Sequence, residues 1–438
     1  MQITIALLVV ALSVGLIVRR HDIRLTLLGG GLTLAFLAGR PLAVLDTFAR
    51  SMVAPMVAPI CAAMGFAAVL RTTGCDRQLV RLLLAPLNGR RWAVLPGGIV
   101  SAYLVNLAVP SQSSVAAMLG PILVPLLIAA KLSPAVAGAA LVLGASFGGD
   151  LLNPAAQDVQ ALSGLVGVSP LALSVRVIPA SLAGLAAAIA AFVLFTARAT
   201  GHPIEDLDEN VLGPEREEER INLLKAIVPL VPVSLLLLAH GGLRSLGWLL
   251  RVEGLNARPD LVAAIPVVRA LLIGFALAAL IGWRDLRQVV QSFFDGMGAS
   301  YRDVISLTIV AQCFGAGVVA VGLGDLLIKQ VGDSRWGMAS LAVSLPWSLA
   351  TLSGSGSGPV LAFAQACIVP LGDRSEVPML GALTCLAAAF GRTMSPVSAV
   401  VLCSAGIVGV SPPELIRPLL PALIVGASVA FVTMLSLG

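Results

Sequence analysis

The chain has 438 residues, 58% of them hydrophobic and only 12% charged, with a mean hydropathy of +0.98. A soluble domain carries about 25% charged residues, so a water-soluble globule is excluded and length counts membrane spans rather than domains. The net charge of +5 and pI near 9.1 would suggest nucleic acid in a soluble protein; in a membrane protein they report arginine-rich cytoplasmic loops, and no nucleic-acid partner is expected.

The first apolar stretch, residues 3–18, lacks a basic leader and a small-residue cleavage site and reads as a retained span. Further candidate spans follow at 25–40, 52–70, 92–109, 134–149 and 170–197, then at 222–240, 261–282, 302–321, 336–351, 376–390 and 411–437. The loop 71–91 carries Arg71, Arg77, Arg81, Arg90 and Arg91, which places it in the cytoplasm. Its LLAPLNGRR run suggests an amphipathic piece at the interface. Residues 201–220 hold eight of the 23 acidic residues and form a hydrophilic linker between two halves, 1–200 and 221–438. Asp295, Arg302 and Asp303 read as the start of a span at the membrane interface. Gln312, in mid-span, reaches either a cavity or a neighbouring helix.

Between these spans lie apolar segments too short or too polar to cross: 111–130, 150–166, 353–371 and 392–408. They recur in order. Ser353 follows Ser111, Pro370 follows Pro125, Phe390 follows Phe147 and Pro396 follows Pro154, each by 242 to 245 residues. A weaker pair joins Thr47-Phe48 through Met52 to Phe293-Phe294 through Met297. This predicts a duplicated unit of about 200 residues, as in transporters built from repeats. The counterpart of the arginine-rich loop, 323–335, sets Lys329 and Arg335 against Asp325 and Asp333, and that asymmetry favours inverted repeats. The expected fold is therefore an all-α polytopic membrane protein of two inverted repeats. Each contributes a re-entrant hairpin, about 111–130 and 353–371, and a broken transmembrane helix, about 149–155 and 391–397.

Helix breaks leave unpaired backbone groups, which survive at membrane depth only beside a watery cavity. Free N–H groups at a half-helix start, with hydroxyls nearby, suit an anion and above all a carboxylate. Candidate substrate-binding residues are Ser111, Gln112, Ser113, Ser114 and Asn153 from the first half. The second half offers Ser353, Ser355, Ser357, Arg392, Thr393, Ser395 and Ser398. The plainer alternative is that such small residues only allow close helix packing. Arg392 lies in apolar sequence, either as a counter-ion for substrate or paired with a carboxylate that holds the break open. Asp150 and Asp158 flank the first break. They are candidates for carrying a coupling proton or cation, or else for an ion pair with Arg392 or a helix cap.

The six cysteines are scattered singly in apolar sequence and read as packing residues. The three histidines lie far from these motifs, so metal chemistry and a Ser-His-Asp hydrolase lack their residues; an enzyme is not expected, nor a cofactor or bound metal.

With FFDGMGASYRDVISLTIVAQCFGAGVVAVGL (293–323), SGSGSGPVLAF (353–363), GRTMSPVSAVV (391–401) and SPPEL (411–415), the chain resembles the DcuC-type anaerobic C4-dicarboxylate carriers of the ion-transporter superfamily. NLAVPSQSS (106–114) and the QDVQAL stretch around Asp158 resemble them more weakly. Arg392, Thr393, Ser395 and Ser398 match the family motif, whereas Pro110, Gln112 and Asp150 depart from it. The resemblance implies secondary transport of succinate, fumarate or malate across a bacterial inner (cytoplasmic) membrane, by exchange or coupled to Na⁺ or H⁺, in a multi-pass protein embedded in the lipid bilayer. Relatives commonly form homodimers. A carrier for another small organic anion or an amino acid, or an anion channel, are the alternatives.

Overall fold

The computed structural model describes residues 2–19, 21–87, 91–109, 111–200, 221–240, 259–322, 335–372 and 374–437. The expected linker 201–220, the greater part of the loop 323–335, Pro110 and Arg90 lie outside them. Every regular element among the described residues is helical. Among the described residues seven helices are long and apolar enough to cross a membrane, or eight if the pair Pro41–Met52 and Val57–Thr73, bent by 46°, forms one span.

In chain order the helices are α1 (Gln2–Val18), α2 (Ile23–Leu37), α3 (Pro41–Met52), α4 (Val57–Thr73), α5 (Cys75–Leu84), α6 (Arg91–Ala108), α7 (Gln112–Ala129), α8 (Pro134–Ser146), α9 (Gln157–Val166) and α10 (Pro170–Thr200). They continue as α11 (Leu223–Ile227), α12 (Val231–His240), α13 (Pro259–Ile281), α14 (Leu286–Ser300), α15 (Ser306–Ala320), α16 (Arg335–Ser353), α17 (Ser357–Phe363), α18 (Val377–Met394), α19 (Ala399–Val408) and α20 (Pro412–Leu437). One order of elements occurs twice: helix, polar tip, helix, buried helix, break, short helix, long helix. It runs from α6 to α10 and again from α16 to α20.

Lipid gives apolar helices no hydrophobic reason to associate, so close packing of small residues must hold them together. A Cβ at Gly184 of α10 would lie 2.8 Å from the carbonyl of Gly426 on α20, and a Cβ at Gly31 of α2 would lie 2.7 Å from that of Cys313 on α15. These pairs let the backbones touch. Pro41 opens α3 at its first turn, where its missing N–H costs nothing. In the arginine-rich loop α5 is amphipathic, with Cys75, Asp76, Leu79, Val80 and Leu84 buried and Arg77 exposed, but it ends at Leu84. Of the expected piece at 83–91 only a 3₁₀ turn at Ala85–Leu87 follows, and residues 88–90 lie outside the described residues.

Near the centre, nearly every residue of α8 and α18 is buried. Both stop short. α8 ends at Ser146 and helix resumes only at Gln157, with Gly148 at φ +83° and a 3₁₀ turn at Asp150–Leu152 between. α18 ends at Met394 and α19 begins at Ala399. The breaks are fastened to each other. Phe147 and Phe390 sit ring to ring at 4.7 Å. The Thr393 hydroxyl donates to the Ser146 carbonyl at 2.7 Å.

Two segments differ from the sequence reading. Residues 112–129 form one 18-residue helix whose polar residues lie at its first turn, so 111–130 holds a single helical arm; α6 and α7, joined through 109–111, pack against each other as the pair. Likewise 353–371 comprises a tip and one arm, with α16 as the other. Around the expected span start at 302–303 helix runs unbroken over Trp283–Ala320, α14 continuing through a π turn at Tyr301–Ile305 into α15, with the Arg302–Asp303 pair exposed on that turn. A π turn absorbs one extra residue without ending the helix.

Candidate functional site

The tips between α6 and α7 and between α16 and α17 meet the two breaks at one place. In the second tip Gly354 takes φ +70°, and a Cβ there would lie 2.9 Å from the Ser398 amide, so the tip rests on the second break. A Cβ on Gly356 would lie 2.7 Å from Arg392 Nη1 and 2.8 Å from Asp158 Oδ2. Only glycine lets the tip approach that pair. An open cavity of about 200 Å³ lies here, lined on its polar side by Gln112, Ser113, Gln157, Asp303, Ser355, Ser357, Arg392 and Ser398.

Behind this lining sits a buried charge cluster. Arg392 Nη2 lies 3.4 Å from Asp150 Oδ2 and Nη1 lies 3.5 Å from Asp158 Oδ2, with side-chain exposures of 10%, 6% and 3% respectively. Asp158 Oδ1 accepts from the Ser357 hydroxyl at 2.5 Å. Asp150 Oδ2 also accepts from Gln112 Nε2, and the Asp150 amide donates to Asn106 Oδ1 at 2.9 Å. Thus each tip sends one donor to one acid, and the second-half arginine spans both. The guanidinium is under-used: charge-assisted N–H···O bonds run about 2.7–2.9 Å, both contacts exceed that, and Nε has no partner among the described residues. Asp150 Oδ1 and Asn106 Nδ2 are likewise unpaired there.

One guanidinium and two carboxylates leave the cluster with a formal charge of −1. Such a cluster costs several kcal/mol to bury even when paired, so it is a poor source of stability and a candidate functional feature.

The residues expected at the site divide. Gln112, Ser113, Ser355, Ser357, Arg392 and Ser398 line the cavity, and Asp150 and Asp158 lie directly behind. The remaining candidates bond locally or across the breaks. Ser111 donates to Ser114 at 2.8 Å. Asn153 donates to the Leu107 carbonyl and accepts from the Ala155 amide, both at 2.9 Å. Ser353 donates to the Leu349 carbonyl at 2.7 Å. Ser395 accepts from the Val397 amide at 3.4 Å, and Thr393 faces α8. Gln312 settles on a neighbouring helix, where its Oε1 accepts from Ser51 at 2.6 Å.

The family profile described as "DcuC: C4-dicarboxylate anaerobic carrier" matches residues 47–437. The chain belongs to the DcuC family. It is 26% identical over 396 residues to the anaerobic C4-dicarboxylate transporter DcuC of Escherichia coli K12, covering 86% of this chain and 79% of that protein. It is 30% identical over 211 residues to an uncharacterized transporter of Haemophilus influenzae, 47% of this chain and 70% of that one. In fold it is similar to the YdaH transporter of Alcanivorax borkumensis, with a TM-score of 0.59 and 16% identity over 90% of this chain and 87% of that one. This DcuC-family protein is therefore a multi-pass membrane transporter and not an enzyme.

The sequence reading missed two polar groups of the cavity. Gln157 opens α9 beside Asp158, and its place at the start of a helix after a break was the available signal. Asp303, on the π turn at Tyr301–Ile305, also lines the cavity, and its exposed carboxylate pairs with Arg302 at 2.8 Å.

Proposed function

We propose that this DcuC-family protein carries C4-dicarboxylates of the succinate, fumarate or malate type across a bacterial inner membrane by alternating access. The carrying observation is Arg392: a buried guanidinium with long contacts and a free Nε, lining a cavity among Gln112, Ser113, Ser355, Ser357 and Ser398. Arg binds carboxylate in forked geometry, and hydroxyl and amide donors from both tips supply the second end of a two-headed anion. The named relatives support the same substrate class.

In this reading the twice-repeated element order is an inverted repeat, and the halves rock about the fixed site. A dianion entering a cluster already at −1 needs company, so a proton or Na⁺ accompanies it, with Asp150 and Asp158 as the coupling groups and no other cofactor. A homodimer in the bilayer fits the same picture.

Uptake into proteoliposomes tests the substrate class. Succinate and fumarate are expected to be taken up saturably, and butyrate, which has one carboxylate, only weakly. Equal transport of all three sinks the two-headed site. Counterflow separates a carrier from a channel, since preloaded substrate accelerates entry only through a carrier. Thermal stabilisation by a dicarboxylate panel, with and without sodium, assigns the coupling ion.

A further inference from the structure

The charge cluster already contains two carboxylates placed as a substrate would be. Asp150 takes one donor from the first tip, Gln112 Nε2, and one from Arg392 Nη2 at 3.4 Å. Asp158 takes one from the second tip, Ser357 Oγ at 2.5 Å, and one from Arg392 Nη1 at 3.5 Å. Gln112, Ser357 and Arg392 all line the cavity, while neither acid does. The acids thus reach from the protein side for the donors that a ligand would reach for from the cavity side. One guanidinium cannot serve four carboxylates in a low-dielectric site, where like charges strongly repel. Acids and substrate must alternate on these donors.

We infer that Asp150 and Asp158 act together as a built-in dicarboxylate, which occupies the donors of the empty carrier and yields them to substrate. The inference rests on the dicarboxylate reading above and adds a consequence for transport mode. With the acids in place, the empty carrier keeps both tips cross-linked through Arg392, as the loaded one does. It can then reorient without cargo, so transport is net and not obligatory exchange. Neutralising one acid leaves Arg392 short of a partner in the empty state and removes a competitor from the loaded state.

The experiment compares net uptake of labelled succinate into empty proteoliposomes with counterflow into succinate-loaded ones, for wild type, Asp158→Asn and Asp150→Asn. For each variant, net uptake falls at least about tenfold relative to counterflow, and the counterflow KM falls several-fold because a competitor is gone. Equal loss in both modes, or a raised KM, overturns the inference, because the acids would then be structural or part of the substrate's own binding set. Infrared difference spectra of the wild type, labelled with ¹³C-aspartate, keep it testable should both variants fail to fold. Fumarate addition is expected to shift an aspartate carboxylate band as the acids leave Arg392, and an unshifted spectrum contradicts the inference. If the wild type carries no dicarboxylate in either mode, the site reading itself falls; if it does and the two modes respond alike, only the built-in dicarboxylate falls.

Discussion

The two breaks hold equivalent places in the chain and are built for different work. The first is wide, running from the end of α8 at Ser146 to the start of α9 at Gln157, with Asp150 inside it and Asp158 on the first turn of α9. The second is narrow, between Met394 and Ala399, and carries the arginine on the last turn of α18. Two Gly residues and a 3₁₀ turn give the first break room to present Asp150 and Asp158 from one side. The second has only to end a helix, which Pro396 does, since the residue before a proline is pushed out of helical conformation; Ser395 is accordingly extended, at ψ 123°. The element order that occurs twice thus carries acids at its first break and the arginine at its second, and they meet at a single guanidinium.

The largest effect expected from unbalancing this comparison comes from Arg392→Gln. Removing one partner of a buried ion pair costs ~3–5 kcal/mol, so uptake should fall by at least about a hundredfold and thermal stability in detergent should drop. Gly356→Ala follows. Its Cβ would enter the space of Arg392 Nη1 and Asp158 Oδ2, and overpacking of ~1–3 kcal/mol predicts a loss of about ten- to a hundredfold in uptake with membrane insertion retained.

Ser357→Ala removes one donor to a charged group, worth ~1.5–3 kcal/mol, and should raise the KM for succinate by roughly tenfold or more in the same assay. Thr393→Val sharpens the comparison differently. It cuts the hydrogen bond between the breaks without touching the cavity, so a loss of ~1 kcal/mol of stability, read as a lower melting temperature, is expected with the succinate-to-butyrate preference intact. Asp303→Asn, at an exposed pair on the cavity rim, should change KM by less than about fivefold.

Much of this arrangement is legible in the sequence because helix breakers in apolar sequence have few explanations. The SGSGS and GRTMSP runs and their first-half partners mark the tips and breaks, and residues expected to share one site do converge on it: Gln112, Ser113, Ser355, Ser357, Arg392 and Ser398. What the sequence could not apportion is the direction of each side chain. Thr393 and Ser395 belong to the same motif as Arg392, yet they face away from the cavity and bond the other break or their own turn. Arg392 was equally a substrate ligand and an ion-pair partner on paper. The fold brings it to both acids, at 3.4 and 3.5 Å, and leaves its buried Nε without a partner among the described residues. Asp303 was invisible as a cavity residue, because a charged pair ahead of an apolar run reads as a helix entering the membrane.

The most direct test of the central claim is binding of succinate to the purified protein by thermal shift, in wild type and Arg392→Gln, with butyrate as the one-headed control. The account predicts that succinate stabilises the wild type, that butyrate does not, and that Arg392→Gln abolishes the difference. Stabilisation by succinate that survives Arg392→Gln would contradict it.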